Sequence, residues 1–485
     1  MPDKDLRRQA LDKTKTVSRR AQAKASLSIP SSTGHSQPGS ARGSRAASRV
    51  ASRNVSDDED DNRSGYLSDD TNASINSIDA FLESDEFQES NLENLKSALN
   101  TTIEELIERK GSSVQGREEA LERYTKILTS HHFGDVLYGR VNDILGALSK
   151  SIKSETSSKE AVLALRAVSL TAISFEDHTL YETIAPLLKR TITDSQDNPT
   201  KAAATQSLGI CLFFGGAGDD EIAEQCTFLL EVVQSDGSFV GADDNAEVVT
   251  AALQTYTFLL TQLDDVEAES EDAVEAFIEQ LDSGNVNVQI AAGEAIAVLF
   301  EKSYTPKEDD EDSGENDEAE GESSGDSDGP TTGDKTLVRR YNAYHNPEEV
   351  VEKVSGLANL STRGLNKHDK RKLHQAFASI AITIENPRRG LQTNSSSRMI
   401  VRIHREGEIK VDKWWKLVRL NALRRLLAGG FINHYFEGNG QVLNALPLLI
   451  RNTGPGGTLS PRRSARRPGD KYKEVRRFVS AEVGD

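Results

Sequence analysis

The stretch NLENLKSALNTTIEELIE, residues 91–108, shows the pattern that decides the fold. Its apolar side chains recur at intervals of three and four residues, at Leu92, Leu95, Leu99, Ile103, Leu106 and Ile107. An α-helix completes a turn every ~3.6 residues, so this spacing places all of them on one helical face. The stretch therefore predicts an amphipathic helix that buries one apolar stripe against its neighbours.

The same helical spacing continues along the chain. Further helices are predicted over 117–129, 136–152, 159–174, 179–192, 200–214, 221–233, 246–263, 272–281 and 286–300. The breaks between them are short and polar, and helix pairs recur about every 40 residues, the period of armadillo and HEAT repeats. Region 91–304 is therefore predicted to be an all-α, armadillo/HEAT-like α-solenoid. A compact all-α bundle is the alternative.

The remaining regions are predicted from their composition. Residues 1–90 form a Ser/Arg-rich and then acidic tail, and residues 305–335 are an acidic insert; both are predicted to be disordered. Region 336–450 is predicted to continue with a small, basic helical region: helices 348–360, 367–385 and 414–427, and a short β-hairpin around 399–411. Residues 451–485 are predicted to be a basic, flexible tail.

The charge is strongly segregated. The 485 residues carry a net charge of −19, which would argue against a polyanionic partner if the charge were evenly spread. Counting along the chain gives +9 for residues 1–53, −21 for 99–304 and +15 for 336–485. Residues 54–98 and 305–335 each carry −11. The sequence thus describes an acidic body with basic ends, and the basic ends leave a nucleic-acid partner open.

The basic C-terminal region holds the candidate binding residues. Its cationic side chains are Arg339, Arg340, Lys367, Lys370, Arg371, Lys372, Arg388, Arg389, Arg398, Arg402 and Arg405. Tyr341 and Tyr344 lie between them in sequence. Cations that neutralise phosphates release counterions, so this set predicts binding to ribosome or RNA. The alternatives are a solvated basic helix face, or a face docked on the acidic segments of the same chain.

Two further features point to partners or modification. Trp414 and Trp415 are adjacent on a predicted helix, so we expect Trp414 in the core and Trp415 half-exposed; an alternative is that Trp415 anchors a partner. The candidate phosphorylation sites are Ser48, Ser52, Ser56 and Ser68. The first three follow an arginine by three positions, and the last two precede acidic residues.

No motif predicts catalysis, a cofactor or a metal. There is no GxSxG, GxxxxGK[ST] or HExxH pattern, and His131-His132 has no partner at metal-ligand spacing. Cys211 and Cys226 do not form a CxxC pair, which excludes a Cys-rich zinc site. No apolar run is long enough for a membrane span. The sequence predicts a protein that is not an enzyme and has no small-molecule substrate.

Several motifs resemble the interferon-related developmental regulator family. They are LANLS at 357–361, KHDKRK at 367–372, DKWW at 412–415 and ALRRLLAGG at 422–430. REEAL at 117–121 and LLKRTITD at 187–194 are similar to the family's N-terminal armadillo-type region. The resemblance covers roughly residues 95–450. After about Leu449 the chain departs from it, because glycines and prolines interrupt the basic tail.

The resemblance implies a non-enzymatic helical regulator of gene expression. It implies ribosome binding and translational control as the leading function, through the basic C-terminal region. The alternative is a nuclear transcriptional co-regulator, a protein–protein adaptor in chromatin-linked complexes without direct nucleic-acid contact. We expect the protein in cytoplasm and nucleus and take it to be a monomer.

Overall fold

Helices form most of the residues that the computed structural model describes. The structure describes residues 85–109, 111–154, 156–177, 179–306, 337–359, 367–389, 399–402, 407–446 and 449–450. The longer helices are α1 (Asp85–Glu108), α2 (Val114–Ser130), α4 (Val141–Ser154), α5 (Ser158–Ser174), α6 (Leu180–Asp194), α7 (Asn198–Phe214), α8 (Asp219–Gln234), α9 (Ala246–Leu260), α10 (Glu267–Gln280), α11 (Val286–Lys302), α12 (Pro347–Asn359), α13 (Lys367–Glu385) and α14 (Trp414–Leu427). Short helices are α3 (Gly134–Leu137), α15 (Phe431–Phe436) and α16 (Gly440–Ala445).

The helices from α1 to α13, apart from the short α3, pair into six successive hairpins. The second helix of each hairpin packs on the second helix of the next, so α2, α5, α7, α9, α11 and α13 form an inner row. Their partners α1, α4, α6, α8, α10 and α12 form an outer row. One continuous hydrophobic core runs between the rows. The predicted α-solenoid is therefore confirmed.

Side-chain caps define where the inner helices begin. Ser113, Ser157, Asp197, Asn245 and Asn285 each stand at an N-cap and accept a hydrogen bond from a backbone N–H of the first turn. Such a cap satisfies a donor that the helix itself leaves unpaired. The short polar breaks of the sequence are therefore capping segments, and they keep the hairpin connections tight.

The predicted helix 136–152 is two helices in the structure. Tyr138 leaves the helical region of backbone conformation, and Gly139 adopts a φ of +75°. A positive φ interrupts a right-handed helix, and glycine is the residue that accepts it most readily. The chain turns here and begins α4 at Val141, which leaves the side chain of Tyr138 exposed.

The described strands are short. β1 (Tyr304–Pro306) pairs antiparallel with β2 (Leu337–Arg339) directly after α11. The predicted hairpin is present, with β3 (Met399–Arg402) antiparallel to β4 (Gly407–Val411). A strand that the sequence did not predict, β5 (Leu449–Ile450), pairs with the start of β4.

The segment Trp414–Leu446, called here the C-terminal strap, crosses the inner row. It contains α14, α15 and α16, and α14 packs against α2, α5, α9 and α11. Apolar strap side chains such as Leu417, Leu423 and Phe431 are buried in the same core as the hairpins. The strap is therefore part of the folded body, and it connects the first hairpin to the last.

Hydrogen bonds attach the strap to the C-terminal ends of the inner helices. Their acceptors are backbone oxygens, and the pairs are Asn433 Nδ2 to Ser130 (2.9 Å), His434 Nε2 to Leu128 (3.0 Å), Asn439 Nδ2 to Ile173 (3.0 Å), Gln441 Nε2 to Phe214 (3.3 Å) and Arg419 Nη2 to Thr261 (2.8 Å). The last carbonyls of a helix have no partner within it, and they carry its negative end. The strap supplies donors to four successive inner helices, α2, α5, α7 and α9.

At the other end of the strap, a buried carboxylate holds the start of α14. Glu301 of α11 accepts hydrogen bonds from the backbone N–H groups of Trp414 (2.9 Å) and Trp415 (3.2 Å). Burial raises the pKa of Glu301, and the two amide donors oppose that rise. The indole of Trp414 donates to Thr383 Oγ1 of α13 at 2.7 Å. Trp414 is fully buried, as the sequence predicted.

Candidate nucleic-acid interface

Three of the predicted arginines lie together beside the β1–β2 ladder. Tyr304 is the ladder partner of Arg339, and the guanidinium of Arg388 lies 5.7 Å from the centre of its ring. Arg340 donates its backbone N–H to Ser303 O at 2.8 Å and its Nη2 to Pro306 O at 3.1 Å. Arg339, Arg340 and Arg388, called the ladder arginines, are all exposed. The ladder arginines lie next to the C-terminal end of α11.

The second group is the α13 triplet, Lys370, Arg371 and Lys372. It lies in the first turns of α13, where Arg371 is exposed and both lysines are half-buried. Lys372 Nζ donates to Asn287 Oδ1 at 3.2 Å, which places the triplet beside the start of α11. Phe377 and Ile380 pack closely against Gly293 in the middle of α11.

The two groups therefore lie at opposite ends of α11. Its sixteen residue steps from Asn287 to Ser303 span about 24 Å at ~1.5 Å per residue. The sequence predicted a single basic cluster, and the fold divides its described members into two. The two groups together are called the basic end, because they belong to the last two hairpins.

The other predicted residues lie outside what the structure describes in detail. Lys367, Arg389 and Arg402 are placed by their backbone alone, and Arg398 and Arg405 lie outside the described residues. Ser48, Ser52, Ser56 and Ser68 also lie outside them. Their proposed binding and phosphorylation stay predictions.

Neighbouring aromatic and cationic side chains have structural roles. Tyr341 and Tyr344 are buried, so neither ring is placed to stack on a base. In α12, Lys353 Nζ pairs with Asp282 Oδ2 at 3.1 Å, and the nearby His345 pairs with Glu271. Lys353 and His345 thus contact acidic residues of the α10–α11 hairpin, whereas neither belongs to the predicted set of binding residues.

Trp415 is half-buried, and its ring stacks on cations of the same chain. The guanidinium of Arg419 lies 4.9 Å from the Trp415 ring centre and 5.0 Å from that of Phe213. Lys416 Nζ lies 5.5 Å from the same Trp415 ring. Burial lowers the pKa of Arg419 to about 10, and its hydrogen bonds to Thr261 hold it between the rings. The visible role of Trp415 is to hold the strap on α7.

Sequence reasoning did not single out Arg166 of α5, which contacts the strap, or Arg424 of the strap itself. Arg166 in α5 donates to Leu426 O at 3.1 Å, and Arg424 in α14 is half-buried. The Nε and Nη1 atoms of Arg424 have no hydrogen-bond partner, and burial lowers its pKa to about 10. The pair Arg424-Arg425 within ALRRLLAGG was the available signal, but its pattern is that of an ordinary amphipathic helix.

Both cysteines of the chain lie within the described residues. Cys211 and Cys226 are buried free thiols, and burial raises the pKa of each to about 12, so neither is a thiolate near neutral pH. Among the described residues there is no group of three His, Cys, Asp or Glu side chains arranged to hold a metal. None of the described helices is long and apolar enough to cross a membrane.

Comparison with known proteins identifies a related family. The sequence model of the family described as interferon-related developmental regulator (IFRD) matches residues 62–385. That range ends with α13, so the strap lies beyond it.

Three relatives match different lengths of the chain. A protein of Schizosaccharomyces pombe described as uncharacterized is 29% identical over 343 residues, covering 70% of this chain and 71% of its own length. Interferon-related developmental regulator 1 of Sus scrofa is 22% identical over 351 residues, covering 69% and 68%. Interferon-related developmental regulator 2 of Mus musculus is 28% identical over 237 residues, covering 46% and 52%.

Proposed function

Because the chain belongs to the interferon-related developmental regulator family, we propose that it is a non-catalytic regulator of gene expression that binds ribosomes or RNA through its basic end. The supporting observation is that exposed arginines and half-buried lysines form two cationic groups about 24 Å apart on the last two hairpins. Residues 99–304 of the solenoid carry a net charge of −21, which disfavours a polyanion over that part of the molecule.

Phosphate recognition is the chemistry that this surface offers. Arginine donates forked hydrogen bonds to phosphate, and lysine adds a compact positive charge. Tyr341 and Tyr344 are buried, so neither of these two rings is placed for base stacking. Binding is therefore expected to depend on the phosphate backbone and on salt rather than on sequence.

The first prediction concerns sedimentation with ribosomes. In the variant Lys370→Glu, Arg371→Glu, Lys372→Glu, and in a second variant Arg339→Glu, Arg340→Glu, we expect most of the cosedimentation at low salt to be lost. Each lost phosphate contact should also reduce the slope of log affinity against log salt by about 0.7–0.9. Cosedimentation over a salt series measures both effects.

A matched control separates local from total charge. Lys126, Lys150 and Lys153 are exposed in the first two hairpins, so reversing all three changes the net charge as much as reversing the triplet. This control should sediment with ribosomes like the unaltered protein. An equal loss in the control would overturn the proposal, and so would the absence of any ribosome or RNA binding. If the protein associates only with chromatin-linked protein complexes, and nuclease does not disrupt that association, the adaptor function is supported instead. That function would place the protein chiefly in the nucleus, rather than in both cytoplasm and nucleus.

A further inference from the structure

A groove lies on the first hairpins, at the opposite end of the solenoid from the basic end. Its first part, of about 570 Å³, runs along α1 and includes Glu93, Glu104 and Asp135. Its second part, of about 500 Å³, lies between α3, the end of α5 and the strap residues Asn439–Gln441. Asp135 lines both parts, so the two depressions adjoin, and together they are called here the acidic groove.

Aromatic rings form a wall of the second part. Tyr138 is 77% exposed, which makes it the most exposed large apolar side chain of the described residues. Its ring centre lies 6.2 Å from that of Phe175, and both residues line the groove. The exposed carboxylate of Glu176 follows Phe175 directly. An aromatic face beside a carboxylate is a suitable surface for an organic cation.

Unsatisfied polar atoms lie in the same part of the groove. Ser174 is 2% exposed, and its Oγ has no hydrogen-bond partner. The Nδ1 of His132 is also buried without a partner, and burial lowers the pKa of this imidazole, so it is neutral. Buried polar groups normally have partners, so an unpaired one that lines a cleft marks a position where a ligand can supply the missing bond.

The charge of the groove determines the charge of the ligand that it favours. Among its lining residues, Glu93, Glu104, Asp135 and Glu176 are acidic, whereas Lys96 is the only basic residue apart from the neutral His132. Lys96 Nζ is already held by Asp135 Oδ2 at 2.8 Å. The groove therefore carries excess negative charge.

We propose that the acidic groove binds an extended, arginine-bearing segment of a protein partner. A guanidinium is planar, so it can stack on Tyr138 and Phe175 while its several N–H groups donate to Ser174 Oγ and the Glu176 carboxylate. The two adjoining parts accommodate an extended backbone, with further cations facing Glu93 and Glu104. The protein then engages a polyanion at one end and a cationic peptide at the other.

Fluorescence anisotropy with a labelled eight-residue peptide of alternating arginine and glycine tests this site. The full-length protein should bind it, and Tyr138→Ala and Glu176→Gln should each weaken binding by at least about fivefold. The same peptide with citrulline in place of arginine keeps the shape but lacks the charge, and it should not bind. Reversal of the α13 triplet, at the other end of the solenoid, should leave the affinity unchanged.

Phe239→Ala is the matched control. Phe239 is 51% exposed and has acidic neighbours in sequence, Asp236, Asp243 and Asp244, but it lies outside the groove. Wild-type affinity in this variant is expected. The proposal fails if Phe239→Ala weakens binding as much as Tyr138→Ala, if both groove variants bind like the unaltered protein, if the citrulline peptide binds equally, or if the arginine peptide does not bind.

Discussion

His434 is completely enclosed, and a single ring proton joins two parts of the fold. Its Nδ1 lies 3.0 Å from the Nδ2 of Asn439, an amide nitrogen that can only donate, so Nδ1 accepts and the proton is on Nε2, facing Leu128 O. The same amide nitrogen donates to Ile173 O, and Asn439 Oδ1 caps α16. Only the neutral imidazole fits these partners, because a second proton would face another donor.

This arrangement predicts that acid destabilises the protein. Burial lowers the pKa of His434 to about 4, so below its ordinary pKa the unfolded chain binds the proton more readily than the folded one. The contribution of the neutral imidazole to the free energy of unfolding is nearly complete at about pH 7.5, and it should decrease by about 2 kcal/mol from there to about pH 5. Urea unfolding over a pH series measures this slope.

The variant His434→Gln should lack this part of the slope, and His345→Gln, at an exposed histidine, should retain it. His132 has its ring 6.0 Å from that of His434, and its pKa is also lowered. Subtracting the free energy of unfolding of the variant from that of the unaltered protein at each pH removes the contribution of His132. Identical slopes for the unaltered protein and His434→Gln would show that His434 does not titrate in this range.

At the scale of elements, the strap depends on one close approach. A Cβ atom added at Gly430 would lie 2.7 Å from Ser130 Cα and would also collide with the carbonyl oxygen of Thr129. Both neighbours are backbone atoms at the end of α2, so they cannot yield by a side-chain rotation. We expect Gly430→Ala to reduce the free energy of unfolding by about 1–3 kcal/mol, measured by urea denaturation.

The adjacent residue provides the comparison. A Cβ at Gly429 meets no atom within 4 Å, so Gly429→Ala adds the same methyl group one position away without a collision. Its unfolding curve should stay close to that of the unaltered protein. Equal destabilisation by the two substitutions would mean that helix and turn propensity, rather than contact with α2, determines the cost.

Local pattern predicted the long helices, including α14 of the strap, but not the two short helices of the strap. Helices such as α13 and α14 carry an apolar stripe over several turns, and both match their predicted bounds. By contrast, α15 and α16 have six residues each, too few for a helical period to be recognised. Lys201 shows another limit: it is 1% exposed and donates to Ile192 O and Thr193 O, a role that no local pattern indicates.

At the scale of the whole molecule, the strap provides an internal reporter. The only two tryptophans of the chain, Trp414 and Trp415, both lie at its start, whereas the helical circular dichroism comes mainly from the hairpins. Solenoids normally unfold through nearest-neighbour units, because each repeat contacts only the next. Since this strap contacts helices from α2 to α13, we expect tryptophan fluorescence and circular dichroism to give coincident urea transitions.

The variant Gly430→Ala extends this test, because it weakens the strap at its far end while leaving the hairpins unchanged. Its two transitions should still coincide at a lower urea concentration. Fluorescence that changes well before circular dichroism in the unaltered protein would contradict the coupling and would show that the strap detaches alone.

The charge pattern predicted the composition of the candidate interface but not its geometry. The run at 370–372 lies at the start of a helix, as the sequence indicated, and Arg339, Arg340 and Arg388 are exposed. Their separation into two groups depends on how α11 and α13 pack, which is a tertiary property. The burial of Tyr341 and Tyr344 could not be predicted from the sequence for the same reason.

The strap also has a consequence for synthesis of the chain. The bond between His434 and Leu128 joins residues 306 positions apart. At a translation rate of ~5–20 residues per second, the end of α2 is made about 15–60 s before its partner. Throughout that interval the nascent hairpins present uncovered carbonyls and apolar side chains, a surface prone to aggregation until residue 446 has left the ribosome.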